Sequence, residues 1–262
     1  TDITTFETAM ILRERIGGKL NIKIFDYGKE FKINGIKISL FPSGHILGSS
    51  QIRFKFAEEK WLITGDYKRQ KDETCKSYET IKTDYIISES TFGLPIFKWD
   101  EPNKIAKEIS KWISFSPNNI SILFCYSLGK AQRLLNEISK TDFKKNIYTH
   151  NTIYQINNCY KKLGIEIIDT IKFDKDQNID DLRGGLILLP PSLNKNSYLK
   201  NFKGIQTGFA SGWMSIRALR KRGGYDKGFT ISDHADWESI LKTIKESGAK
   251  NVFFHHGESE VL

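Results

Sequence analysis

The sequence predicts an α/β protein built from a β-rich first part, a middle part in which helices and strands alternate, and a short return segment. Two features lead to this expectation. Apolar and polar residues alternate through the early strands, and near Asn103 that pattern gives way to helical periodicity interrupted by short apolar runs. In chain order, Thr4 and Glu7 have capping-box spacing, Ala9, Leu12 and Ile16 share a helical face, and Gly17-Gly18 ends that helix. Strands follow at Ile36, Ile38 and Leu40, at Ile52, Phe54 and Phe56, at Trp61 to Thr64, and at Tyr85 to Ser88. In the middle part Ile105, Ile109, Trp112 and Ile113 mark a helix, Ile120 to Cys125 a strand, and Leu134, Leu135 and Ile138 the next helix. The alternation continues with a strand near Ile147, a helix from Thr152 to Leu163, and the strand Leu186 to Leu189, closed by Pro190-Pro191. Phe229 to Ser232 and Val252 to His255 are expected as strands around a helix from Trp237 to Glu246 that stops at Gly248. The expected division is 1–97, 98–228 and 229–262, with the first and last segments sharing one sheet-based layer.

Composition bounds the partners. At 39% hydrophobic residues with only 6 prolines, the 262-residue chain can build a packed core and is neither disordered nor collagen-like. Its apolar runs are too short for a bilayer span, so no membrane partner is expected. Lys and Arg number 40 against 31 Asp and Glu, a formal charge of +9, which favours a polyanionic partner without specifying one. Cys75, Cys125 and Cys159 form no CxxC pair, so neither a disulfide framework nor a zinc finger is suggested, and a reducing cytoplasm is the expected setting. The opening Thr1-Asp2-Ile3 shows no secretory leader and no methionine, and an N-terminal piece is expected to be absent.

The chemistry gathers at strand ends. His45 follows a strand within Ser43-Gly44-His45, Asp66 within Gly65-Asp66-Tyr67, and His256 within His255-His256-Gly257-Glu258. Histidine with carboxylate is a ligand set for zinc or manganese. Singly each signal is weak, because a lone strand-end histidine is more often structural and Gly-Asp is more often a turn. His255 should point away from the face of His256, and His150 at a helix start reads as ordinary.

Their joint order is more specific. His45, Gly65-Asp66, Ser88-Glu89-Ser90-Thr91-Phe92-Gly93, Ser232-Asp233-His234-Ala235-Asp236 and His256-Gly257-Glu258 resemble the ordered motifs of the β-CASP group of metallo-β-lactamase-fold nucleases. Trp61 to Arg69, Glu89 to Pro95 and Cys125 to Arg133 are most similar to ligase-associated DNA exonucleases, themselves relatives of mRNA 3′-end processing endonucleases. The match is least distinct over 141–205. The resemblance implies an αββα sandwich carrying an inserted βα-wound lobe. It implies two divalent metal ions, zinc first and manganese as the alternative, with His45 and His256 as terminal ligands and Asp66 as the bridge. Such ions activate water and neutralise charge on an attacked phosphodiester. His234 would protonate the leaving oxygen or stabilise the phosphate, with Glu89 orienting it. The family's HxHxDH loop, which supplies most of the ligands, is nowhere in these residues, and the chain is read as starting just downstream of it. On that reading the chain alone binds metal weakly and cleaves poorly.

Two further stretches suggest phosphate contact. Gly129-Lys130 lacks P-loop spacing but opens a helix, where Lys130 could hold a backbone phosphate, against the plainer reading of a helix start. Arg217, Arg220, Lys221 and Arg222 lie beside Trp213 and Tyr225, which suits single-stranded nucleic acid, although a charge run is usually a solvated face. The expected function is a metal-dependent DNA exonuclease in repair, with a DNA ligase or helicase as companion. An RNA-processing β-CASP nuclease and an inactive nucleic-acid-binding homologue are the alternatives.

Overall fold

The computed structural model describes residues 2–174, 176–193, 204–257 and 261–262, with the side chain of His256 outside that set. The chain divides into two compact units, Thr1–Lys98 with Asp233–Leu262, and Trp99–Ser232. The first unit opens with β1 (Asp2–Thr4), α1 (Phe6–Ile16) and β2 (Ile22–Ile24), the two strands pairing in parallel. The cap of α1 is Thr5 and not Thr4: Thr5 is extended, its Oγ1 accepts from the Thr8 N–H, and its hydroxyl donates to the Gly48 carbonyl at 2.8 Å. An antiparallel meander follows through β3 (Glu30–Ile33), β4 (Ile36–Pro42), β5 (Ser50–Phe56) and β6 (Glu59–Ile63). Asn34 and Gly35, both at positive φ, make the β3–β4 turn. β7 (Tyr85–Ser90) then pairs in parallel with β6.

The second unit contains α2 (Pro102–Ser114), β8 (Ile120–Phe124), α3 (Lys130–Ser139), β9 (Ile147–Thr149), α4 (Asn151–Lys162), β10 (Ile171–Lys172), α5 (Ile179–Leu182), β11 (Leu186–Leu189), β12 (Ile205–Ala210), α6 (Arg217–Arg222) and β13 (Lys227–Phe229). Its sheet runs β10-β9-β11-β8-β12-β13, with every pairing parallel. Parallel strands buried on both faces read as continuous apolar runs, and all four residues of β11 are buried. The strand expected over Phe229 to Ser232 is shifted: it begins at Lys227 and is an edge of this second sheet, paired with β12.

The return to the first unit brings α7 (Trp237–Ser247) and β14 (Asn251–Gly257). Asp236 caps α7 by accepting from the Ser239 N–H at 2.9 Å, and Gly248 at φ 69° ends it. β14 joins β7 in parallel, so the first sheet runs β14-β7-β6-β5-β4-β3. The two faces of this sheet differ. One packs Leu62 and Ile86 against Phe41 and Ile81, with Tyr67, Ala235, Ile240 and Phe254 forming a neighbouring cluster. On the other, register aligns Phe31, Ile38, Phe54, Trp61 and Tyr85 in one row. Leu40, Ile52, Ile63, Ile87 and Phe253 form the next row. Apart from Leu40 these side chains are partly or well exposed, Phe253 at 47% and Ile52 at 39%. Trp61 stacks on Tyr85 with ring centroids 4.1 Å apart. No helix among the described residues is long and apolar enough to cross a membrane.

Candidate metal centre

The loops leaving β4, β6 and β7 and the turn before α7 bring chemistry-bearing side chains to one place in the first unit. Ligand atoms of His45, Asp66 and His234 all lie within 4.8 Å of one another. Nε2 of His45 is 3.8 Å from Oδ2 of Asp66, and the two imidazole rings are 4.8 Å apart between centroids.

Each histidine is held by a partner that fixes its tautomer. Nδ1 of His45 lies 2.8 Å from the Asp233 carbonyl oxygen, which can only accept, so Nδ1 carries the proton and Nε2 presents its lone pair toward Asp66. Nδ1 of His234 lies 2.9 Å from Oε2 of Glu89, which leaves its Nε2 toward the same space. Burial and the neighbouring His234 push the His45 imidazole below its ordinary value, with Asp233, its carbonyl and Asp66 opposing. The neutral imidazole favoured by this environment is the form that ligates a metal.

Glu89 is fully buried. Its Oε1 accepts from the Tyr67 N–H at 2.8 Å, and its Oε2 accepts from the Thr91 hydroxyl at 2.6 Å as well as from His234. A buried carboxylate held by three donors is a fixed acceptor and not a solvated strand-end acid.

Four residues of this assembly were given no role by the sequence, although all but Asp72 lie in its motifs: Lys68, Asp72, Asp233 and Thr91. Lys68 is 1% exposed, with its ammonium 2.6 Å from Asp72 and 3.7 Å from Asp233. It also donates to the His45 carbonyl at 3.1 Å, so one buried lysine joins the backbone of His45 to the residue that orients its ring. The i,i+4 spacing of Lys68 and Asp72 falls in a loop, where it has no periodicity to betray it. Gly44 explains the glycine beside His45. At φ 71° a Cβ there would lie 2.3 Å from the Lys68 carbonyl oxygen.

His256 belongs to β14, whose register shifts between His255 and Gly257 beside Glu89 and Ser90; its side chain lies outside the described residues. His150 caps α4, accepting from the Thr152 N–H. In the second unit Lys130 is 3% exposed and directs its ammonium to the Ile231 carbonyl, while the Gln132 side chain accepts from the Gly129 N–H. The phosphate contact expected of Lys130 therefore finds its ammonium turned inward and the helix start already capped. Arg217 is exposed and lines a hollow of about 320 Å³ with Arg220, Lys221, Tyr225 and Lys227.

No family model matches the chain. Over 254 residues, 95% of its length, it is 25% identical to a probable DNA ligase of Opitutus terrae, of which it covers 24%. It is 31% identical over 113 residues, 42% of the chain and 14% of the relative, to cleavage and polyadenylation specificity factor subunit 3 of Dictyostelium discoideum. Over 146 residues, 54% of the chain and 17% of the relative, it is 30% identical to the endoribonuclease ysh-1 of Neurospora crassa. The chain thus spans a quarter or less of the curated relatives it matches. Its structure superposes on a crystal structure of a protein of unknown function from Enterococcus faecalis V583 with a TM-score of 0.63 at 14% identity, covering 96% of this chain and 69% of that one. At that identity the two share a fold.

Proposed function

The chain is a relative of the β-CASP nucleases of the metallo-β-lactamase superfamily, and from that premise we propose that it is part of a metal-dependent phosphodiesterase acting on DNA. The convergence of His45, Asp66 and His234, with Glu89 buried behind His234, is the observation that carries this reading. The His45 imidazole, with Nδ1 engaged and Nε2 toward Asp66, and the Asp66 carboxylate are donors that fit a divalent ion, and His234, held through Nδ1 by Glu89, stands beside them. His45, Asp66 and His256 would hold divalent ions, zinc by ligand type or manganese, which supply water activation at neutral pH and neutralisation of phosphodiester charge. His234 in its protonated form would give the Nε2 proton to the leaving oxygen and keep its Nδ1 proton on Glu89, which holds the ring in place.

The finer fold reading is a sandwich with an inserted lobe, the lobe being the unit Trp99–Ser232. Its support is the apolar, half-exposed face of the first sheet, which suits a second sheet layer stacked upon it. The preference for DNA follows the alignment along nearly the whole chain with a probable DNA ligase, and it is compatible with exonuclease action in repair beside a ligase or helicase. The higher local identity to endoribonucleases favours RNA as the second reading.

The test is cleavage of matched single-stranded DNA and RNA by the natural protein after chelation and metal re-addition, with metal content measured on each variant. Metal-dependent cleavage, faster on DNA, is expected. Asp66→Ala should lose both metal and cleavage, whereas His234→Ala should lose cleavage and keep metal. If His234→Ala also loses metal, His234 is a ligand. Cleavage indifferent to chelation or to Asp66→Ala sinks the proposal.

A further inference from the structure

Charge is distributed unevenly between the two units. Trp99–Ser232 carries 21 Lys and Arg against 12 Asp and Glu, whereas the rest of the chain carries 19 of each. The whole excess of +9 therefore belongs to the second unit, whereas the residues of the candidate metal centre belong to the first. Within that unit the ends of α2 and α3 and the loop before β9 enclose a groove of about 750 Å³. Lys107, Lys111, Lys140, Lys144 and Lys145 line it, and all five are exposed. Ile113 and Phe143, 2% and 9% exposed, give it an apolar base. Phe115, by contrast, is 86% exposed beside the lysines.

Helix C-termini attract cations, and Lys111 in the last turn of α2 and Lys140 at the end of α3 fit that role, Lys140 also pairing with Glu137 at 2.9 Å. The dipole does not account for the rest. Lys107 sits a turn earlier, and Lys144 and Lys145 follow the helix, with Asp142 the single acid among the described residues that line the groove. Nor does core packing account for Phe115, whose ring is left in solvent. A row of ammonium groups along a groove with one free aromatic ring is the arrangement that tracks a phosphate backbone while stacking an unpaired base.

We propose that this groove docks single-stranded nucleic acid. The inference rests on the reading that the protein acts on nucleic acid, and it adds a holding surface built from residues that take no part in the metal centre. A duplex offers no unstacked base to Phe115, and an acidic protein segment offers charge without a base to stack.

The experiment measures binding of labelled oligodeoxythymidylate to the full chain by fluorescence anisotropy across a salt series, with chelator present so that cleavage plays no part. The double variant Lys144→Glu, Lys145→Glu should bind at least about tenfold more weakly, with a shallower salt dependence, since each lost phosphate contact removes about 0.7 from the log–log slope. Phe115→Ala should weaken binding about tenfold while leaving the slope unchanged, because stacking releases no counterion. Lys172→Glu, on β10 and outside the groove, serves as the charge control and should change affinity less than about threefold, one contact's worth at most. Equal weakening by Lys172→Glu would mean undirected attraction and overturn the inference. So would wild-type affinity in Phe115→Ala, equally tight binding of duplex or charge-matched polyglutamate, or no binding at low salt. Binding through the groove by a natural protein that shows no metal-dependent cleavage sustains this inference and sinks the nuclease reading.

Discussion

At the site, Lys68 and Glu89 do opposite jobs with buried charge. Lys68 neutralises Asp72 and sits near Asp233, with its own side chain 1% exposed and theirs 4% and 6%. Removing one member of a buried ion network leaves the others uncompensated, typically at a cost of about 3–5 kcal/mol. Lys68→Met is therefore expected to lower unfolding free energy by an amount of that order, read from urea denaturation, and to loosen His45 by freeing its carbonyl and its orienting Asp233. A loss under about 1 kcal/mol would show that the network contributes little. Glu89 accepts from three donors, so Glu89→Gln must turn an NH2 toward at least one of Tyr67, Thr91 or His234. A mispaired buried group costs about 1–3 kcal/mol, and loss of an orienting carboxylate lowers activity about 10- to 100-fold. The expected outcome is a folded variant that keeps its metal and loses turnover within that range. Wild-type turnover would remove Glu89 from the mechanism.

The elements show where sequence reasoning reached and where it stopped. Gly44 lies in the loop after β4 with its backbone against that of Lys68, and an added Cβ would meet the Lys68 carbonyl oxygen at 2.3 Å and the Tyr78 nitrogen at 2.9 Å. Gly44→Ala is expected to destabilise by about 1–3 kcal/mol, since overpacking and a positive φ act together, and to weaken metal binding by displacing His45. A thermal midpoint and zinc affinity equal to the parent's would show that the loop yields freely. The glycine was legible because Ser-Gly-His ends an alternating run, and β4 to β7 were legible for the same reason: their patterns are local. β1, β2, β3 and β10 were not read from the sequence, because strands of two to four residues offer no period to see and are made by their neighbours, and the longer β12 was missed as well. Thr4 and Thr5 are both capping residues, and the choice of Thr5 is settled by its distant hydrogen bond to Gly48. Lys130 illustrates the same limit at a helix start, since only tertiary packing turns its ammonium toward Ile231. The partners of His45 were likewise hidden: Asp233 contributes a backbone carbonyl, which leaves no mark on residue identity.

For the whole molecule, separate parts of the chain carry attraction and chemistry. The residues proposed to act on a phosphodiester belong to a unit with balanced charge, while the other unit carries the net positive excess. Attraction to a polyanion then depends on distributed lysine and arginine, whose binding releases counterions, and needs no ion in the metal centre. Single-stranded DNA binding is therefore expected to survive chelator unchanged while metal-dependent cleavage disappears. The salt response gives the magnitude. If about four or five phosphates are contacted, the log–log slope is about −3, and raising salt from about 50 to 200 mM weakens binding by roughly 60-fold. Anisotropy titrations with and without chelator, at several salt concentrations, measure both quantities on one protein. Binding abolished by chelator would place the main attraction at the metal centre, and a flat salt response would mean that the basic excess of the second unit faces no phosphate at all.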